Sequence, residues 1–147
     1  MTVPDPKVKS DSHTDSELKH IYKLKNVAVV GMSKNAEKPS NFVPKYLLKQ
    51  GYNIYPVNPT IQEIMGKKSY PSVAEIPDDI DIDIVDIFRK PEDVPGAVSD
   101  ALKKPGIKVI WMQEGIYNEV AEAEAKAKGL DVVFNRCMMA EHKRLFS

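Results

Sequence analysis

The chain has little of what small stapled, metal-bound or membrane-spanning domains need. Cysteine occurs once in 147 residues, at Cys137, so no internal disulfide can form. A lone thiol suits a reducing compartment, and the cytoplasm is the expected location. Histidine occurs three times, at His13, His20 and His142, and no pair has metal-ligand spacing. No apolar run approaches the roughly 20 residues of a membrane span. Net charge is missing too, since 21 basic residues balance 21 acidic ones. A dedicated nucleic-acid binder carries a basic excess, so that class is set aside. The start, MTVPDPKVKSDSHTD, is polar and acidic, unlike a signal peptide.

What is present is a 42% hydrophobic content, enough for one core, distributed in a regular alternation. Residues 1–14 are rich in Pro, Asp, Ser and Lys and are expected to form a mobile arm; 15–147 then make one domain. Asp15 or Ser16 would cap a first helix whose apolar stripe is Leu18, Ile21, Tyr22 and Leu24. Short apolar runs at 25–32, 52–57, 80–88, 107–112 and 130–135 read as strands buried on both faces. Between them lie helical patterns: Ser40 to Gln50, with Phe42, Val43, Tyr46 and Leu47 facing the core, then 92–104 and 119–129. Residues 60–78 are irregular, with a short strand near 67–70 and a helical turn near 72–76, and the tail after Arg136 holds one short helix. Strands alternating with helices imply an α/β fold: a single Rossmann-like domain with a parallel sheet of five or six strands and helices on both faces.

Ligands of such sheets bind beyond the carboxyl ends of the strands. Here those ends read Gly31-Met32-Ser33-Lys34, Val57-Asn58-Pro59, Phe88-Arg89-Lys90, Gln113-Glu114-Gly115 and Asn135-Arg136-Cys137. Small, polar and basic residues dominate, a pocket-like set, while each segment taken alone also reads as an ordinary loop. The loop after Gly31 leads to a helix start at Lys38-Pro39-Ser40, whose dipole would favour a phosphate. The dinucleotide pattern G-x-G-x-x-G fails, because Ser33 and Ala36 stand at its second and third glycines. No acid ends the second strand to hold a ribose, which lowers the NAD(P)-dependent oxidoreductase reading. The run Asp78 to Asp83 does not match a calcium loop, with Ile84 at the glycine position and Lys90 at that of the bidentate Glu; no metal is expected. Trp111 sits in an apolar strand and reads as core. Cys137 lies at the ligand end of the sheet, where a small buried side chain and a redox thiol are both open readings.

Five segments, in order, carry a resemblance: VAVVGMSKNAEKPSNFVPKYLLKQGYNIYPVNP, SYPSVAEIP, DIVDIFRKPEDVP, GIKVIWMQEG and FNRCMMAEHKRL. Over about residues 18–147 the chain resembles the small stand-alone CoA-binding proteins of bacteria and archaea. These are similar to the N-terminal CoA-binding domain of the succinyl-CoA synthetase alpha subunit. The resemblance implies coenzyme A, free or as an acyl-CoA, as ligand. It implies phosphate contacts at Gly31, Met32, Ser33, Lys38, Pro39 and Ser40, and an adenine and ribose end at Val57, Asn58, Pro59, Phe88, Arg89 and Lys90. It also places the pantetheine arm against Gln113, Glu114 and Gly115, with Asn135 and Cys137 matching the synthetase Pro-Asn-Cys stretch. The synthetase lysine past the second strand is replaced by Thr60 and Ile61, so Arg89, Lys67 or Lys68 would supply the charge. Ligase chemistry resides on a further synthetase domain with no counterpart in these residues, and His142 does not inherit its phosphohistidine role. The expectation is a binder of CoA without ligase chemistry of its own. The alternatives are a thiol-redox protein forming a Cys137–CoA mixed disulfide, an NAD(P) enzyme, or a subunit that lends CoA binding to a partner enzyme. A homo-oligomer is the other association left open.

Overall fold

The structure, a computed structural model, describes residues 11–147. Helix α1 (Asp15–Ile21) precedes strand β1 (Asn26–Val30), helix α2 (Pro39–Lys49) and strand β2 (Asn53–Val57). A small hairpin of β3 (Glu63–Ile64) and β4 (Lys67–Lys68) follows, then a 3-10 turn at Val73–Glu75 and strand β5 (Ile84–Ile87). The chain continues through a 3-10 turn at Pro91–Asp93 into α3 (Val94–Ala101), β6 (Val109–Met112), α4 (Glu119–Ala127), β7 (Asp131–Val133) and α5 (Met138–Phe146).

Five strands form one fully parallel sheet in the order β2-β1-β5-β6-β7. Side-chain alternation divides the core in two. Val27, Val29, Ile84, Val109, Trp111 and Val133 face α1, α2 and α5. Ala28, Val30, Val85, Ile87, Ile110 and Val132 face α3 and α4. Asp86 of β5 apart, the central strands are therefore apolar on both faces, as buried parallel strands are. Trp111 is fully buried, and its Nε1 donates to the Arg136 carbonyl at 2.8 Å.

Several boundaries differ from the sequence reading, each for a local reason. The cap of α1 is Thr14 in place of Asp15 or Ser16: its hydroxyl accepts from the Glu17 amide and the Glu17 carboxylate accepts from the Thr14 amide. Helix α2 starts one residue before Ser40, because Pro39 is preset for the first helical position; Lys38 is its N-cap, and Ser40 lies inside the first turn. Phe42 lies off the buried stripe of Val43 and Leu47 and is 37% exposed. The helix expected over 92–104 splits into the turn at Pro91–Asp93 and the shorter α3, as the Pro95-Gly96 pair allows. The strand expected from 80 begins at Ile84, since Asp83 is spent on tying the loop to the Asn26 amide and to Lys108.

Of the expected arm, residues 1–10 lie outside the described residues. Residues 11–14 are fastened to the end of β7. The Asp11 carboxylate takes hydrogen bonds from the Arg136 guanidinium at 2.9 Å and from the Phe134 amide at 2.9 Å. The His13 ring meets Asp131 at 2.8 Å.

Candidate functional site

The chain runs from β1 outward to β2, then crosses back to β5 on the other side of β1. The reversal opens a crevice beyond the carboxyl ends of β1 and β5. Gly31 and Phe88 stand at that point. The Gly31 amide donates to the Val57 carbonyl and the Phe88 amide to the Val30 carbonyl, both at 2.9 Å. Gly31 has φ +81°, and a Cβ there would sit 2.3 Å from the Phe88 carbonyl oxygen. Only glycine allows the two strand ends to close together in this way.

Two clefts open on either side of this junction. The larger, about 680 Å³, is bounded by Lys38, Pro39, Ser40, Phe88, Arg89, Lys90, Gln113, Glu114 and Cys137. The smaller, about 300 Å³, is bounded by Gly31, Val57, Pro59 and Arg89, with Pro71 to Val73 and one side of α3 opposite. Arg89 lines both. Among the described residues its only ion pair is to Asp93 at 3.4 Å, between side chains more than 40% exposed, so its guanidinium is loosely committed. Lys38, Arg89 and Lys90 against Glu114 make the larger cleft locally positive on a chain of zero net charge. Helix α2 opens onto the same cleft with no side-chain cap, so its positive end is left to a ligand.

The remaining expected residues shape the loops and do not line a cleft. Met32 is fully buried and its carbonyl accepts from Asn58 Nδ2 at 2.9 Å. Asn58 Oδ1 in turn accepts from the Thr60 amide and hydroxyl, so the side chain is consumed in holding two strand ends together. The Ser33 carbonyl accepts from Asn41 Nδ2 at 2.7 Å, which fixes the first loop against α2. Gly115 donates its amide to Asn135 Oδ1 at 2.7 Å, and Asn135 is fully buried with φ +55°. Lys67 and Lys68, offered as alternative cations, lie on the hairpin strand β4 and line neither cleft.

Reading the sequence missed the apolar wall of the larger cleft: Phe42, Val43, Ile116 and Met139. The signal for Phe42 was available, since an aromatic one position off a helix stripe at a ligand-facing end needs another partner. Ile116 and Met139 had no such signal, because each follows a strand end by several residues.

Cys137 is the N-cap of α5, and its sulfur accepts from the Ala140 amide at 3.5 Å. Burial pushes its thiol up, against the lowering effect of hydrogen bonds from the Ala140 and Met139 amides and from Gln113. It therefore rests as a thiol at neutral pH.

A third hollow, about 340 Å³, is bounded by Asp11, His13, Glu17, Glu122, Lys126 and Asp131. Four carboxylates against one lysine suit no anionic ligand.

Comparison with known proteins gives the family. Residues 25–143 match the model of the CoA binding domain, and the chain belongs to that family. It is 40% identical over 128 residues to protein YneT of Bacillus subtilis, covering 86% of this chain and 93% of YneT. It is 35% identical over 114 residues to an ADP-forming acetate–CoA ligase of Methanocaldococcus jannaschii, 78% of this chain but 16% of the ligase. A solved structure of a hypothetical protein from Pyrococcus horikoshii superposes with TM-score 0.86 at 42% identity, covering 100% of this chain and 99% of that one. No helix among the described residues is long and apolar enough to cross a membrane.

Proposed function

We propose that this chain binds coenzyme A, free or acylated, across the two clefts that meet at Gly31 and Arg89, and that it carries no ligase chemistry of its own. The observation that carries this reading is the shared Arg89, flanked by an uncapped helix start on one side and a smaller cleft on the other. CoA is an elongated polyanion with a flat adenine at one end and a thiol arm at the other. The smaller cleft suits the adenine and ribose. Lys38, Ser40 and Arg89 suit the phosphates at the α2 start. The longer, apolar-walled cleft suits the pantetheine arm, with Gln113 and Glu114 beside it.

The NAD(P) reading loses support at Asn58, whose side chain is engaged with Met32 and Thr60 where a dinucleotide enzyme would present a ribose acid. The ligase relatives are several times longer, and what they do with CoA need not transfer. A single cysteine fits the cytoplasm, where CoA thiols are kept reduced.

Calorimetry tests the reading. Titration with CoA should give a saturable heat at one CoA per chain, weakening as salt rises. Absence of heat at millimolar CoA, or tighter binding of NADH, would overturn it.

A further inference from the structure

Strands β1 and β2 begin side by side, with Lys25 leading into one and Tyr52 into the other. A fourth hollow, about 570 Å³, lies there, at the end of the sheet opposite to the two clefts. That volume is ordinary for a small-molecule site. Its walls are of two kinds. Lys19 of α1, Lys23 just past that helix, and Lys25 supply three ammonium groups, and no carboxylate lines the hollow. Tyr22, Tyr52, His142 and Phe146 supply four rings.

The rings are held in place by contacts of their own. The Tyr52 hydroxyl donates to the Tyr22 carbonyl, and the Tyr22 hydroxyl to the Met138 carbonyl, both at 2.7 Å. The His142 ring meets Tyr22 and Tyr52 edge-on, with centroids 5.3 and 5.8 Å apart, and lies 4.7 Å from Phe146. Its Nδ1 is hydrogen-bonded to the Tyr46 hydroxyl at 2.8 Å. His142 is only 9% exposed, and its Nε2 has no hydrogen-bond partner among the described residues. A fixed, buried imidazole that lines a hollow with one nitrogen unanswered is a group that a ligand completes. With the Tyr46 hydroxyl donating to Nδ1, Nε2 carries the hydrogen and can donate to an anion.

The lysines are unanswered too. Among the described residues the lysine ion pairs are those of Lys108 and Lys126, both elsewhere. The Lys25 ammonium stands 4.2 Å over the centre of the Tyr52 ring, a contact with a ring face and not with an acid. One cation in the last turn suits the negative end of α1, and Lys19 fills that role; Lys23 and Lys25 lie beyond it. Burial and then the charge of Lys25 hold the His142 ring below its ordinary value.

We propose that this hollow is a second ligand site, for a phosphate ester of a flat ring compound. The ring lies among Tyr52, His142 and Phe146, and the phosphate between the three lysines and His142 Nε2. Lysine meets phosphate as a point charge, and aromatic walls favour a flat partner. An uncharged ring would leave the lysines without a counter-ion, and a bare anion would leave the aromatic walls to water. The site shares no lining residue with the two clefts, so it stands or falls independently of the CoA reading.

The test uses the full chain and phenyl phosphate, with inorganic phosphate and phenol as its two halves. Calorimetry should give one phenyl phosphate per chain, bound about tenfold or more tighter than either half. The His142 ring proton signals, identified by their loss in His142→Gln, should shift as the probe saturates. Lys25→Gln should weaken the probe by about tenfold. Phe146→Ala should weaken phenyl phosphate and leave inorganic phosphate as it was. Should His142→Gln fail to fold, the other two variants decide, since Lys25 and Phe146 are both exposed. No binding at millimolar phenyl phosphate, or an unaltered affinity in Lys25→Gln, overturns the site. Inorganic phosphate bound as tightly as the ester, or an ester affinity untouched by Phe146→Ala, overturns the part given to the rings.

Discussion

A Cβ placed on Gly31 would stand 2.3 Å from the carbonyl oxygen of Phe88, so the ends of β1 and β5 are closed on each other to a glycine's width. The contact sits where the strand order reverses and separates the two clefts that Arg89 joins. In the proposed reading, this backbone closeness would let an extended ligand lie across the sheet end.

Gly31→Ala combines that collision with a positive φ, and it should destabilise the fold by about 2–4 kcal/mol. Urea denaturation measures it. In whatever fraction stays folded, CoA affinity should fall, since Phe88 must move. Gly129→Ala is the control: its φ of +82° carries the same backbone strain, but nothing lies within 4 Å of the added methyl. Its cost should be distinctly smaller.

Arg89→Ala should weaken CoA binding by about tenfold and flatten its salt dependence. Because the pair with Asp93 is long and exposed, thermal stability should hardly change. Calorimetry at two salt concentrations, with a melting curve beside it, reads both.

The fold was mostly legible because its strands are buried on both faces. Val27 to Val30 and Val109 to Met112 are unbroken apolar runs, which few other structures would accept. Where the β3–β4 hairpin stands, the sequence pattern points only to a short strand near 67–70. Its turn puts Met65 at φ +55° and Gly66 at +71°, and a methionine gives no warning of that conformation. The strand ends named the charged floor of the larger cleft, since topology alone assigns those positions. Its apolar wall was not legible, because Ile116 and Met139 arrive there through loop geometry. Asp86 was hidden for another reason. In IDIDIVDIF it continues an alternation of acids that the strand start breaks, leaving the earlier acids outside the sheet and this one inside.

The fastening of residues 11–14 should make stability depend on pH in two opposite ways. Burial alone would raise the Asp11 carboxyl, but hydrogen bonds from His13 and Arg136 carry it well below the usual carboxylate range. That contribution is present above the unfolded value of 3.8 and is lost as pH falls through the lower folded one. His13 is raised, mainly by its bond to Asp11, against burial and with help from Asp131. Its contribution is full below the unfolded value of 6.5 and is lost as pH rises through the higher folded one. Denaturation midpoints across neutral pH should therefore decline on the alkaline side, and His13→Gln should remove that decline.

Thr14→Ala removes one half of the α1 capping box and should cost about 1 kcal/mol. Thr14 lines neither cleft, so CoA affinity should stay as it was. A matched loss of affinity would mean that α1 reaches the ligand in a way its contacts do not show.

Hydrogen exchange of the full chain with and without CoA bears most directly on the central claim. CoA bound across the sheet end should protect amides at 31–33, 38–42, 88–90, 113–116 and 137–140, and leave the acidic hollow around His13 and Asp131 unchanged. Protection confined to that hollow, or none at saturating CoA, would contradict the account.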